Sequence, residues 1–575
     1  MRWRRCVGRR CALEASTEME LVIFEESKPL VCQALREGEF DYIEAASEVF
    51  ETNFFRFIKA QPILEKLAET YPTPRLKEDV PCWLYVASNL SMRLHGVHAF
   101  NAFPLLVRAG GMLNAFGPQA GKKVIHPDTG EVTLSCEGFN KKNFYDRQTP
   151  CDQDYLRKMA RDTRAEELMR WFGQDVVSIF RSRRSFDKEG LFLGDASYLF
   201  VPDNPNYEGS AKLLFDEHDH PLSSERYENM NDEQKVRCRW RRCYKMVTLL
   251  HTNRSLDFFL FVAVRVLSGK DNECPVLYEL VREFVEAAGK GVMKRLILDR
   301  GFLDGKAISA CKKDYGIDIL IPARRDMDIY EDATALFRLP EIDWVTVEEP
   351  EAKPEEGVRA RPTPVVKRER KRQETLKKLK QKKPSPLPEE TIIKREAAAI
   401  GQFRSWSSCT VPLTVVANRE LYADGHEEMW LLIDTKEGGA PGQIRQEYHL
   451  RTATEERYRQ LKCFSDLTHF TSRAFSLVVN QTVFIMLAYN LLQLYLLRQG
   501  KKKLNKKPLP HIRQQLLPSD NHVIVYWQNY YGFFRPFELV GFIVELEEEA
   551  RKKIAEKCRR IGRELTELMR NPRAP

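Results

Sequence analysis

Cysteine occurs 13 times among the 575 residues, yet no C-x-x-C pair is present. The closest pairs, Cys6 with Cys11 and Cys238 with Cys243, have neither a matching second pair nor neighbouring histidines, which argues against a zinc site. An odd count without a framework excludes a disulfide-stapled secreted scaffold and fits a reducing compartment. No apolar run follows the opening MRWRRCVGRR, so no signal peptide is expected there. A strong bias of charge is also missing: Lys+Arg 91 against Asp+Glu 82 leaves +9. That excess permits a polyanionic partner without requiring one. Internal repeats are absent. Only one stretch, FSLVVNQTVFIMLAYNLLQLYLL (475–497), is long and apolar enough to span a bilayer. Asn480, Gln481, Asn490 and Gln493 interrupt it, and a highly charged segment precedes it, so a buried helix is expected and no membrane contact.

What is present suits a large globular chain. Hydrophobic residues at 43% and charged residues at 30% give a core that needs no staples, and the length allows about three or four units. Residues 1–185 read as a mostly helical N-terminal region, with helical spacing in Cys82–His95 and Asp152–Phe180 and breaks at Gly110–Gly111 and Asp128–Gly130. The texture changes at about 186. Short runs rich in Val, Phe and Leu (190–202, 211–215, 244–250, 258–267) are followed by a helix over 274–290, a strand over 295–302, a helix and a strand over 317–324. Meandering strands followed by β/α alternation predict a mixed sheet flanked by helices across 186–324. Residues 325–425 read as an insertion subdomain with a charged linker, dense in cations from Lys367 to Lys383. Strand-like pieces follow it, joined by the turn signal Asp424-Gly425. Residues 426–500 return to helix, and 501–575 carry the basic loop KKKLNKK and a charged helix near 537–570.

Three segments concentrate chemistry. In YHLRTATEERYRQLK (448–462), about 100° per residue puts Tyr448, Arg451, Glu455 and Lys462 within an arc of roughly 60°, with Arg459 close by. A lone carboxylate among cations is what a metal-dependent phosphate site needs. On spacing alone, a solvated face with an Arg451–Glu455 pair is the simpler reading. The apolar segment that follows predicts that this helix docks on the core. Asp195 sits in the otherwise apolar GLFLGDASYLF, where an unpartnered carboxylate is costly. Asp299 ends the apolar strand of RLILDRGF. Taken singly, each aspartate fits a turn or a cap equally well. Asp299 lies 104 residues after Asp195, and Glu455 lies 156 residues after Asp299, a gap the insertion accounts for.

Y-x2-R-x3-E-x6-K, satisfied in full by Tyr448, Arg451, Glu455 and Lys462, resembles the signature of the insertion sequence four group of bacterial DDE transposases. GDASYLF around Asp195 and LDRGF around Asp299 resemble that group's first two catalytic motifs. The resemblance covers about 185–500. It implies an α/β fold: an RNase H-like mixed sheet flanked by helices, with a β-rich insertion and a helical N-terminal region. It implies that Asp195, Asp299 and Glu455 are catalytic and bind two Mg²⁺ ions, about 3.5–4 Å apart, with Mn²⁺ as a substitute. It further implies that Tyr448, Arg451 and Lys462, with the nearby Arg459, contact DNA. The partners implied are terminal inverted repeats, target DNA and a second copy of the chain, in a cytoplasmic, nucleoid-associated setting. Relatives with this signature can flip a base onto tryptophans of the insertion, where Trp344, Trp406 and Trp430 stand here. The implied activity is cut-and-paste transposition. A repurposed DNA-binding descendant, or a nuclease without strand transfer, is the alternative. Asp195 is followed by Ala and Ser, and MRWRRCVGRRC reads as an appendage.

Outside these motifs, Arg237, Arg239, Arg241 and Arg242 with Trp240 and Tyr244 form a second candidate nucleic-acid contact. His218 and His220 in DEHDHP read as a turn rather than a metal site.

Overall fold

The computed structural model describes residues 18–21, 25–46, 49–76, 80–103, 122–125, 132–135, 151–347, 392–516, 522–528 and 530–570. The opening MRWRRCVGRRC, the two glycine-containing breaks and the basic run Lys367–Lys383 lie outside them.

From residue 191 onward, runs of branched and aromatic residues form strands β1 (Leu191–Val201), β2 (Ala211–Phe215), β3 (Arg239–Thr252), β4 (Leu260–Ser268), β5 (Arg295–Leu298) and β6 (Asp318–Pro322). They continue as β7 (Val345–Thr346), β8 (Ile392–Phe403), β9 (Leu413–Tyr422) and β10 (Glu427–Asp434). These ten make one mixed sheet in the order β7-β8-β9-β10-β6-β5-β1-β3-β2, with β4 paired to β3. Helices flank it: α1 (Glu273–Ala288), α2 (Gly305–Tyr315), α3 (Pro441–His449), α4 (Thr452–Phe464) and α5 (Phe475–Arg498). The α/β mixed-sheet fold expected from the sequence is the fold observed.

The chain divides into two compact units, one of residues 1–188, 196–289 and 454–575 and the other of 189–195 and 290–453. These limits differ from the boundaries that composition suggests, because β8 and β9, read as an insertion, extend the same sheet as β5 and β6. In the second unit the start of β1, β5 and β6 run parallel, and β6 then pairs antiparallel with β10. The crossover α2 makes the parallel β5–β6 step possible. Leu191, Leu193, Leu296, Ile297, Leu298, Ile319, Leu320 and Ile321 are all buried, the continuous apolar runs that strands covered on both faces require. The β9–β10 hairpin turns at Asp424-Gly425, as expected. There Gly425 takes φ +86° and Asp424 accepts the His426 N–H at 2.8 Å, a geometry open to glycine.

In the other unit the apolar stretch 475–497 is the buried helix α5, and each of its polar interruptions makes at least one side-chain hydrogen bond. The Asn490 side chain accepts the Phe261 N–H at 2.8 Å and donates to the Phe261 carbonyl at 2.7 Å. Gln493 accepts the Phe259 N–H at 3.1 Å, and Asn480 donates to the Tyr85 hydroxyl at 2.8 Å. The first two amides cap the outer edge of β4, whose backbone groups would otherwise be orphaned. The N-terminal part is not helical throughout. Tyr42–Ala46 pairs antiparallel with His522–Trp527, and Glu18–Leu21, Lys122–Ile125 and Val132–Ser135 form a small sheet. The segment near 537–570 is two helices, Pro536–Val544 and Glu548–Arg570.

Candidate active site

The register of the two parallel strands decides where the aspartates stand. Leu298 of β5 pairs with Gly194 of β1, so Asp299 and Asp195 each lie one residue beyond that pair. Residues in register on parallel strands face the same side of a sheet, about 4.8 Å apart along the hydrogen-bonding direction. Two carboxylates 104 residues apart in sequence are thereby neighbours, Asp299 just past the end of β5 and Asp195 within β1, where its pairing with β5 stops. Asp195 is 7% exposed, and the Arg451 guanidinium lies 3.8 Å from its carboxylate. Asp299 is half-buried and accepts the Arg300 N–H at 2.8 Å, capping a short 3₁₀ turn. The capping role open for Asp299 is therefore real, and it leaves the second carboxylate oxygen for other partners.

Helix α3 brings cations and a phenol to this pair. Pro441 starts it at a position where the missing N–H costs nothing. Tyr448, in its last turn, packs against Trp430 of β10 with ring centroids 6.0 Å apart. Burial pushes the Tyr448 phenol above its ordinary value of 10; Arg451 pulls it back, and the nearby Asp299 adds to the rise. The phenol therefore stays protonated and can donate. Arg445 is 1% exposed, bonds Glu420 at 2.5 Å and lies over the Trp430 ring at 5.2 Å. Arg295, at the start of β5, reaches Asp434 with both terminal nitrogens at 2.5 and 2.7 Å. Its Nε donates to Glu447 of α3 at 2.9 Å.

The single helical face expected over 448–462 is corrected by the structure. Helix α3 ends at His449 and α4 begins at Thr452. The Thr452 hydroxyl bonds the His449 carbonyl at 2.8 Å, taking it out of the helical ladder. Leu450 and Arg451 donate to Glu447 and Tyr448 at 3.1 and 3.0 Å, a tightened three-residue step. Tyr448 and Arg451 fall in the unit that holds both aspartates, while Glu455, Arg459 and Lys462 fall in the other. Within that other unit, α4 buries Thr454, Arg457, Tyr458 and Leu461 along one stripe, docked as expected. Glu455 is exposed in the first turn. Lys462 donates to the Ser197 hydroxyl at 2.8 Å, and Ser197 lies two residues past Asp195 on the same face of β1. Arg459 is held bidentately by Glu456 at 2.7 and 2.8 Å.

Among the described residues, no group of three or more His, Cys, Asp or Glu is placed to hold a metal ion. The adjacent pair Asp195 and Asp299 offers only carboxylate oxygens, a donor set suited to hard divalent ions and not to zinc or copper.

Residues 209–491 match the family model of the transposase DDE domain. The match supports a DDE transposase; transposases act on DNA, and DDE domains generally use divalent metal ions. It takes in Asp299, Tyr448, Arg451, Glu455, Arg459 and Lys462 and begins 14 residues after Asp195. No curated protein matches the chain.

Sequence reading missed Arg295, Asp434, Glu447 and Arg445. The signal was available for two of them. Arg295 and Asp434 are charges at the ends of apolar strand runs, as Asp299 is. Elsewhere, Arg237 pairs with Glu217 at 2.9 Å and Arg241 with Asp219, while Trp240 is 62% exposed. Asp216 accepts the backbone N–H of both His218 and His220 at 2.9 Å, so DEHDHP is a turn. The loop KKKLNKK is a 3₁₀ turn over Lys502–Lys506.

Proposed function

We propose that this chain is a cut-and-paste transposase of the insertion sequence four group, cleaving DNA at element ends and joining those ends to target DNA. The observation that carries the reading is the β1–β5 register, which sets Asp195 beside Asp299 with Arg451 and Tyr448 close to them. Asp195, Asp299 and Glu455 would hold two Mg²⁺ ions, with Mn²⁺ able to replace them. Bound there, such ions activate the attacking oxygen and stabilise the leaving oxygen of an in-line displacement at phosphorus.

The chain's own residues bind and orient. The neutral Tyr448 Oη donates a hydrogen bond to a phosphate oxygen. Arg451, Arg459 and Lys462 neutralise the phosphates on either side of the reacting one. Arg451 and Arg459 exchange their present carboxylate partners for phosphate, and Lys462 adds a phosphate to its Ser197 bond. Residues 1–185 recognise the element end, and two copies of the chain act together on paired ends. The setting is the cytoplasm, at the nucleoid.

The test begins with the genomic DNA flanking the gene, where short inverted repeats and a small target duplication are expected. Duplexes built from those repeats should be bound and, with Mg²⁺, cut. Asp195→Asn and Glu455→Gln should lower cutting by roughly a thousandfold or more while leaving binding intact. Full cutting by either variant removes the site assignment. Cutting without joining of a pre-cleaved end to target DNA would leave a nuclease in place of a transposase.

A further inference from the structure

The unit that carries Asp195 and Asp299 holds a buried ion triad for which the function proposed above has no use. Arg295 is 6% exposed, Asp434 is fully buried and Glu447 is 12% exposed in its side chain. The guanidinium is shared. Its two terminal nitrogens grip Asp434, while Nε and one terminal nitrogen reach Glu447 at 2.9 and 2.8 Å. Asp434 is fixed further by the Lys436 N–H at 2.7 Å. Three elements meet at this one planar group: β5 through Arg295, β10 through Asp434 and α3 through Glu447.

Such a triad is a poor means of stabilising a fold. Desolvating three charges costs several kcal/mol each, and well-packed apolar residues of similar volume usually do as well or better. The neighbours of Arg295 and Asp434 in their strands are Leu and Ile, so an apolar solution was close at hand. What a planar fork supplies instead is direction, since it fixes two carboxylates in one plane. Each arm leads to the site. Along β5, Asp299 follows Arg295 by four residues on the same face. Along α3, Tyr448 is the residue after Glu447, and Arg451 follows in the tightened turn. β10 carries Trp430, against which the Tyr448 ring rests.

We propose that Arg295 is a positioning residue that, through Asp434 and Glu447, sets the Tyr448–Arg451 turn against Asp195 and Asp299. The inference rests on the metal-dependent function proposed above. Arg295 touches neither DNA nor a reacting atom; it acts by holding α3 at a fixed height and rotation beside the Asp195–Asp299 pair. A displacement of about 1 Å at a reacting centre can cost on the order of a hundredfold in rate.

The full chain is measured as wild type, Arg295→Lys, Glu447→Ala, Glu447→Gln and Asp299→Asn. Arg295→Lys keeps the charge and loses the fork. Glu447→Ala releases α3 while keeping good helix propensity and leaving the Arg295–Asp434 pair intact, so it tests the idea even where Arg295→Lys does not fold. Glu447→Gln keeps an acceptor for the guanidinium. Three readouts are taken: thermal unfolding, Mn²⁺ binding by electron paramagnetic resonance, and Mn²⁺-dependent nicking of supercoiled plasmid resolved into kcat and KM. Folded Arg295→Lys and Glu447→Ala should bind Mn²⁺ about tenfold more weakly and lose about tenfold or more in kcat, with KM for plasmid unchanged. Glu447→Gln should recover most of both losses. Wild-type Mn²⁺ affinity and kcat in Glu447→Ala, or losses that only track the folded fraction, would overturn the clamp. Equal Mn²⁺ binding and nicking by wild type and Asp299→Asn would instead overturn the functional reading beneath it.

Discussion

Helices α3 and α5 solve the same problem, docking on a sheet, with opposite chemistry. Helix α5 is apolar almost all round. Nineteen of its 24 residues are buried, and two of its buried amides, Asn490 and Gln493, complete backbone bonding at the edge of β4. Helix α3 buries only Ile444 and Arg445 outright. Two ion clusters and an aromatic contact hold it: Arg445 on Glu420, Glu447 on Arg295, and Tyr448 on Trp430. Apolar contact is non-directional, and a helix held that way keeps its place through the sum of many weak contacts. Ion forks and stacked rings each fix an angle. The helix that aims side chains at Asp195 and Asp299 is the one held by directional contacts, while the helix that fills the core is held by area.

Cavity formation should produce the largest change in stability. Leu491 of α5 is fully buried, and Leu491→Ala should cost about 3–5 kcal/mol by lost burial plus the void left behind. Urea denaturation of that unit reads the effect. A cost under about 1 kcal/mol would mean that α5 can collapse around the gap, and the contrast with α3 would weaken. The counterpart on α3 is Arg445→Met, expected to cost about 3 kcal/mol because it strands Glu420. That figure sits at the low end for a broken buried pair, since Arg395 remains 3.8 Å from Glu420. Replacing both partners, Arg445→Met with Glu420→Met, should restore most of the loss, because the buried carboxylate goes with its partner and the Arg395 side chain, 29% exposed, can turn to water. A double variant as unstable as the single would show that shape holds α3, as it does α5. No polar exchange should restore Leu491→Ala.

The same difference explains what could be read from sequence. Apolar periodicity and β-branched runs made α5, α2 and the strands β3, β4, β5 and β6 legible, since burial of area leaves its pattern in composition. Asp195 and Asp299 were legible as charges in apolar strands. Their adjacency was not, because register depends on which strands pair, and nothing local to either motif states that. The pairing of Tyr42–Ala46 with His522–Trp527 was hidden for the same reason, its partners lying at opposite ends of the chain. The break between α3 and α4 turns on one hydroxyl, Thr452 to the His449 carbonyl, a contact that propensity does not register. The ion clamps under α3 were not legible because the partners of Arg445 and Glu447, namely Glu420 and Arg295, lie 25 and 152 residues away in sequence.

The smallest predicted effect concerns acid, to which the two helices should respond differently. α3 lies against the sheet that contains β8 and β9, where Glu396 accepts from Lys394 and from Arg419 at 2.7 Å each. The bond from Lys394, then the bond and charge of Arg419, hold the Glu396 carboxyl below its ordinary 4.5 despite partial burial. A carboxyl depressed in the folded state contributes stability that is complete above 4.5 and is lost as pH falls through the lower folded value. The unit bearing α3 should therefore lose stability on that limb, and Glu396→Gln should flatten it by lowering the neutral-pH midpoint, where the wild type holds the full contribution. The amides on α5 do not titrate, so Asn490→Asp would introduce an acid response where the wild type has none from this contact. Urea midpoints from pH 3 to 7, followed by fluorescence, read both variants. An acid limb identical in wild type and Glu396→Gln would place the titrating groups elsewhere and remove the β8–β9 hairpin from the contrast, whereas a flattened limb would show that the directional support beneath α3 is also its acid-sensitive one.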